Sequence, residues 1–155
     1  MSIEATIVLQ GEGAAEVPES LRSEGEAYGR GIAYAADYLN VLSSRLGLPD
    51  WYSYYADTDR VMDEIIRERG ESETIEEEEA LWEECARRLP YYPSDKALPH
   101  FSSVLEHLLA DAEPCRAALY QAGGSYDEVV WDLRVIVETL KVAARKGQAF
   151  HLSVS

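Results

Sequence analysis

The chain predicts a mainly α (α+β) fold: a bundle of about five to six helices in one domain over residues 1–155, with short N- and C-terminal β-strands pairing on one flank. Three observations lead there. Apolar residues recur at three- and four-residue steps through most of the sequence, the two ends alternate at a period of two, and Ser/Thr-x-x-Glu capping spacings stand before three of the helical stretches. A chain of 155 residues buries roughly 70% of the surface its unfolded form exposes, enough for one core without disulfides or metal.

Residues 3–9 place Ile3, Ala5, Ile7 and Leu9 against Glu4, Thr6 and Val8, the pattern of a half-buried strand. The polar stretch from Gln10 to Arg22, with Gly11, Gly13 and Pro18, reads as a loop. Ser23 and Glu26 then have the capping-box spacing and predict a long helix. Its core face is Tyr28, Ile32, Ala35, Ala36, Leu39, Leu42 and Leu46, and Gly47 with Pro49 stops it. Trp51 to Tyr55 falls on a loop or single turn. Asp57 or Asp59 caps a short helix to about Arg69 that turns Val61, Met62, Ile65 and Ile66 inward.

Thr74 and Glu77 repeat the capping spacing before a helix over roughly 75–89. Glu76 to Glu79 sit at the positive end of its dipole and Arg87 and Arg88 at the negative end; Ala80, Leu81, Trp82, Cys85 and Leu89 form its apolar side. Two prolines mark residues 89–94 as a connection. Pro99 falls in the first turn of a helix carrying Phe101, Val104, Leu105, Leu108 and Leu109. Pro114 interrupts that pattern, and a short helix from Cys115 ends at Gly123-Gly124. Ser125 and Glu128 open the most apolar helix, to about Lys146, expected at the centre of the core. Phe150, Leu152 and Val154 then alternate along a final strand. Free edges on so small a sheet stay short or pair with a second copy, so a homo-oligomer joined through the terminal strands is one expectation.

Charge bounds the function classes. Thirteen acidic and five basic residues between Asp57 and Arg88 carry eight of the fifteen net negative charges. Such a chain repels nucleic-acid phosphates and anionic membranes, which are bound through Lys and Arg, so direct binding to either is not expected. Lysine is scarce beside arginine, as in a GC-rich genome or a salt-adapted protein, but salt adaptation spreads acid over the whole surface rather than concentrating it in one segment of the chain. No apolar run approaches the ~20 residues of a membrane span, and the start lacks the charged and apolar regions of a secretory signal, which predicts a cytoplasmic location. Cys85 and Cys115 lie in helical patterns and read as buried small hydrophobes.

Signals for chemistry are absent. His100 and His107 share a helical face but stand about 10 Å apart along its axis, too far for one ion. No C-x-x-C, H-E-x-x-H or E-x-x-H spacing occurs, and Gly11-Glu12-Gly13 and Gly29-Arg30-Gly31 match no phosphate loop. Ser102 and Ser103 beside His100 are better read as helix-surface residues than as a nucleophile. No cofactor, metal or catalytic residue is therefore assigned.

The aromatics point instead to binding. Ten tyrosines and three tryptophans stand against two phenylalanines. Tyr28, Trp82, Trp131 and Tyr120 fit core positions by periodicity. Trp51, Tyr52, Tyr54, Tyr55, Tyr91 and Tyr92 lie in the two connections flanking the acidic segment, either folded back over the bundle or exposed as interface anchors. The expectation is a non-catalytic protein that binds, and inhibits, a basic protein surface through Trp51, Tyr54, Tyr55, Glu76, Glu77, Glu79 and Glu83. Bacterial immunity proteins and nucleic-acid mimics share that character, and no residue is carried over from them. An alternative is a small helical enzyme or ligand-binding protein with a pocket lined by Tyr34, Tyr38, His100 and His107.

Overall fold

The computed structural model describes residues 3–155. Strand β1 (Ala5–Leu9) and the C-terminal β4 (Ala149–Val154) pair antiparallel, Ala5 opposite Val154 and Leu9 opposite Phe150, so the expected pairing of the two ends is present. Two further strands of two residues each, β2 (Gly13–Ala14) and β3 (Tyr92–Pro93), lie in segments read from sequence as loop and connection. They complete a four-stranded sheet of order β2-β1-β4-β3. The long strands are thus interior, and Ala56 N–H adds a bond to the Leu152 carbonyl beyond the end of β3. Ala5, Ile7, Leu9, Phe150 and Leu152 turn one face of the sheet onto the helices and belong to the main core.

Seven α-helices follow: α1 (Arg30–Tyr34), α2 (Ala36–Arg45), α3 (Thr58–Arg69), α4 (Ile75–Arg88), α5 (Ser94–Ala110), α6 (Ala112–Gln121) and α7 (Tyr126–Arg145). As the apolar run predicts, α7 is central. It packs along α5 and against α1, and Val129, Leu133, Val135, Ile136 and Leu140 are fully buried. The caps at Asp57, Thr74 and Ser125 each accept an N–H from three residues on, as their spacing requires. Helix α5 begins five residues before Pro99, which the sequence pattern had set in the first turn, and the proline is carried inside the helix.

The long helix expected from Ser23 does not form as one piece. Residues up to Gly29 are instead an irregular strap over α7, because their polar groups are taken up by other elements. Glu24 makes a two-pronged ion pair with Arg134 (2.9 and 3.0 Å), and the Ala27 carbonyl accepts from Trp131 Nε1 (2.8 Å). The Tyr28 hydroxyl accepts from Ile7 N–H and donates to the Ala15 carbonyl, bridging β1 to the strap; burial holds its pKa up to about 12. Ala35 then separates α1 from α2 by one residue.

Helix α1 starts where a partner from α7 caps it. The buried Asp132 carboxylate accepts from Ile32 N–H (3.0 Å), with the N–H groups of Gly29 and Gly31 also favouring its charge, so a residue about a hundred positions away does what a local Ser or Asp usually does. Two glycines allow the approach. A Cβ on Gly31 would lie 2.5 Å from the Glu128 carbonyl carbon, and Gly29 combines a φ of +107° with a hypothetical Cβ 2.4 Å from the Ala5 carbonyl oxygen. Gly29-Arg30-Gly31 is therefore a packing device.

Gly31→Ala is expected to destabilise the protein by about 3 kcal/mol in chemical denaturation, because the clash is with backbone and pushes α1 off its cap. Asp132→Ala should cost a similar amount by leaving buried N–H groups unpaired, and Asp132→Asn less, since one oxygen remains to accept. Burial raises the Asp132 pKa above 3.8. Its contribution to stability is therefore full at low pH and lost as pH rises through the native value, so the gap between Asn and wild type should narrow as pH rises.

Candidate functional site

Helices α3 and α4 form a hairpin with its own small apolar cluster, Val61, Ile65 and Cys85 under Met62, Leu81 and Leu89. The hairpin holds the acidic fifth of the chain, and its charges are distributed unevenly. Arg88 bridges Glu68 and Glu84, Arg69 and Arg87 also reach Glu84, and Arg60 pairs with Glu64. Hydrogen bonds from arginine hold the Glu68 and Glu84 carboxyls below the usual range. Four of the hairpin's five cations are thus consumed along these carboxylates.

The outer face of α4 keeps its charge. Glu76, Glu78, Glu79 and Glu83 are exposed and make no ion pair among the described residues. Glu77 is also exposed, but its carboxylate accepts from Glu73 N–H while Thr74 accepts from Glu77 N–H, so it serves the cap. Trp82, placed in the core by periodicity, is 53% exposed, and Ile75 is 73% exposed. The reason is that α4 has α3 as its main neighbour: the seam takes Leu81 and Cys85, and Ile75, Glu79 and Trp82 fall together on the solvent side at helical spacing. Tyr120, also expected inside, is 78% exposed.

The connection aromatics move the other way. Trp51 is fully buried and Tyr54 is 8% exposed, so neither offers a surface contact, and Tyr55 is half-buried. They fold back over the bundle because every polar tip finds a partner. Asp50 caps a turn of 3₁₀ helix over 51–54, Trp51 N–H donates to Asn40 Oδ1, and Trp51 Nε1 donates to the Tyr55 hydroxyl (3.0 Å). Trp51 packs edge-on to Phe101 at 5.1 Å, and Tyr54 stacks with Phe150. Tyr52, which bonds the Asp37 carboxylate, remains exposed. Tyr91 lies over His151 on the sheet's outer face.

The four residues of the alternative pocket separate. His100 is buried between the Ser43 hydroxyl at Nε2 (2.9 Å) and the Tyr54 hydroxyl at Nδ1 (3.0 Å), a closed network that suits a neutral ring donating through one nitrogen and accepting through the other. Tyr34 is exposed. The surface clefts of 340 to 600 Å³ are lined by other segments, such as Glu4, Ala15, Arg22 and Tyr28, or Gln10, Arg87, Tyr91 and Ala149.

Tyr38 and His107 are each near Cys115 at the α5–α6 joint. The ligand atoms of His107, Asp111 and Cys115 lie within 4.8 Å of one another, and Tyr38 lies beside Cys115. Burial, and then the neighbouring Cys115, hold the Tyr38 pKa up to about 12. A spacing of four and four residues was available in the sequence, but it signals convergence only once the helix is known to bend between the outer two.

Comparison with known protein families, curated proteins and solved structures finds no match to this chain. No helix among the described residues is long and apolar enough to cross a membrane.

Burial lowers the pKa of His100, and burial outweighs the Pro90 carbonyl in lowering that of His151. Each contributes stability that is present above the ordinary value of 6.5 and lost as pH falls toward the native value. Between about pH 7.5 and about pH 5.5, wild type should lose up to ~1.4 kcal/mol relative to His100→Gln, measured by denaturation at both pH values.

Proposed function

We propose that the protein is a non-catalytic interaction protein that binds a basic surface of another protein through the outer face of α4. One observation carries this reading: the uncompensated carboxylates Glu76, Glu78, Glu79 and Glu83 surround the exposed Trp82 and Ile75, while four of the hairpin's five arginines are engaged elsewhere. Unpaired negative charge on one face steers a cationic partner and speeds encounter, and an exposed tryptophan supplies the desolvated contact that charge alone lacks. Inhibition of a basic enzyme or toxin by occlusion is the activity such a surface is suited to.

The binding set accordingly keeps Glu76, Glu79 and Glu83 from the sequence reading and takes Trp82 and Ile75 as its apolar members in place of Trp51 and Tyr54. Glu77 contributes field while its carboxylate holds the helix start. Cytoplasmic residence belongs to the same reading, since a cytoplasmic inhibitor meets its target there.

Capture of partners from native lysate at low and high salt tests the proposal. A single basic protein should be retained at low salt and weakened at high salt. Trp82→Ala should weaken its binding at least tenfold while changing stability by no more than about 0.5 kcal/mol. Reversing Glu76, Glu79 and Glu83 to Lys should slow association and flatten its salt dependence. Unchanged affinity in both variants would overturn the assignment of this face.

A further inference from the structure

We propose that His107, Asp111 and Cys115 form a three-ligand site for a zinc-type divalent ion at the α5–α6 elbow, with the fourth position open to solvent. The inference is independent of the binding face on α4.

The elbow creates the site. In a continuous helix, positions 107 and 115 are separated by about 12 Å of rise, and no ion spans them. Here α5 ends at Ala110 and α6 begins at Ala112, with Asp111 alone between them at φ −120°, ψ 50°. Pro114 accounts for the break, because it has no N–H for the Ala110 carbonyl and its ring would crowd that carbonyl in a straight helix. The bend folds the outer two side chains toward the middle one, bringing the imidazole, carboxylate and thiol within 4.8 Å of one another.

The donor set selects the ion. A thiolate is a poor ligand for magnesium or calcium, whereas sulfur, imidazole nitrogen and carboxylate oxygen together suit zinc. At ordinary zinc bond lengths, tetrahedral ligand atoms lie about 3.5 Å apart, so the three must close by roughly 1 Å. Two of them have freedom to do so: His107 is half-buried and Asp111 exposed, while the buried Cys115 is the fixed point. Asp111 occupies the N-cap position of α6, where an aspartate ordinarily binds an N–H of the first turn, yet its side chain makes no such bond. Its carboxylate is thereby left for the cluster. Tyr38 lies beside Cys115, so its hydroxyl is placed to donate to a bound thiolate from outside the ligand set, which makes Tyr38 a positioning residue.

Binding forms one bond each from zinc to sulfur, nitrogen and oxygen and releases the thiol proton to solvent, with no change of oxidation state. Three protein ligands leave room for a water or an external donor in the fourth place.

Cobalt(II) added to the metal-free full-length protein tests this, since a cobalt–thiolate bond gives an intense near-ultraviolet charge-transfer band and tetrahedral coordination gives strong visible bands. One equivalent should develop both, and zinc should abolish them by displacement. Cys115→Ala should remove the charge-transfer band. His107→Gln and Asp111→Asn, on accessible side chains that leave folding intact, should each weaken zinc affinity by more than about tenfold against a chromophoric chelator. Tyr38→Phe should weaken it less. Replacing Glu76, Glu79 and Glu83 by Gln separates ordinary binding to the acidic surface and should leave the affinity unchanged. Absence of a thiolate band, or an affinity that follows the α4 glutamates rather than His107 and Cys115, would overturn the site.

Discussion

The structure depends on how closely α1 can approach α7. At Gly31 the two backbones come within the distance at which any Cβ would collide, and the same approach delivers the Asp132 carboxylate to the start of α1. Without that contact the short α1 would have no cap, since Gly29 carries no side chain and helices of five residues are not stable by propensity. The consequences spread outward. The Gly29 carbonyl accepts from Ala5 N–H, so the position of α1 fixes where β1 begins, and β1 in turn sets the register of β4. One buried carboxylate at the start of α1 thus ties the central helix, the first helix and the sheet. Its raised pKa records that desolvation outweighs the backbone N–H groups that favour its charge.

A second consequence concerns where side chains with two characters end up. Tyrosine and tryptophan go inside when the interior supplies a partner for the polar tip and outside when it does not. Trp51, Tyr54 and His100 form a mutually satisfied set with Tyr55 and Ser43, so burial there costs no unpaired group. Trp82 has only the narrow α3–α4 seam available, already filled by Leu81 and Cys85. The same hairpin geometry sorts the charges, because the arginines at the α3 and α4 C-terminal ends reach Glu68 and Glu84, leaving the glutamates at the N-terminal end of α4 to face solvent. Core exclusion and charge pairing therefore produce the acidic and aromatic face together.

Much of this was legible in the sequence. The terminal strands, the caps at Thr74 and Ser125, an aspartate cap at 57 or 59 that the structure places at Asp57, and the central place of α7 follow from period and cap chemistry, both of which act over a few residues. What was not legible depends on groups far apart in the chain. Ser23 and Glu26 have the spacing of a capping box, yet Glu24 is claimed by Arg134 and the true cap is Asp132. Periodicity sent Trp82 inward because it reports which residues share a face, not whether a neighbour exists to cover that face. Trp51 and Tyr54 stood in a stretch too short to have a period at all, and their burial rests on Asn40, Phe101 and His100 from other helices.

The elbow shows the same limit in a sharper form. Straight-helix arithmetic correctly keeps His100 and His107 from sharing an ion, and here the first faces Ser43 and Tyr54 inside the bundle while the second lies at its margin. Applied without change, that arithmetic also dismisses His107 with Cys115, at a nominally larger separation. Its premise holds between the two histidines because the helix runs unbroken through them, Pro99 included. It fails past Ala110, where Pro114 removes one donor and one rotation of the backbone at Asp111 changes the direction of the axis. A proline signals both the break and the place where residues four and eight apart stop being strung along a line. Convergence of ligands in a helical protein is therefore best sought beside its helix breakers, where small backbone changes bring distant turns together.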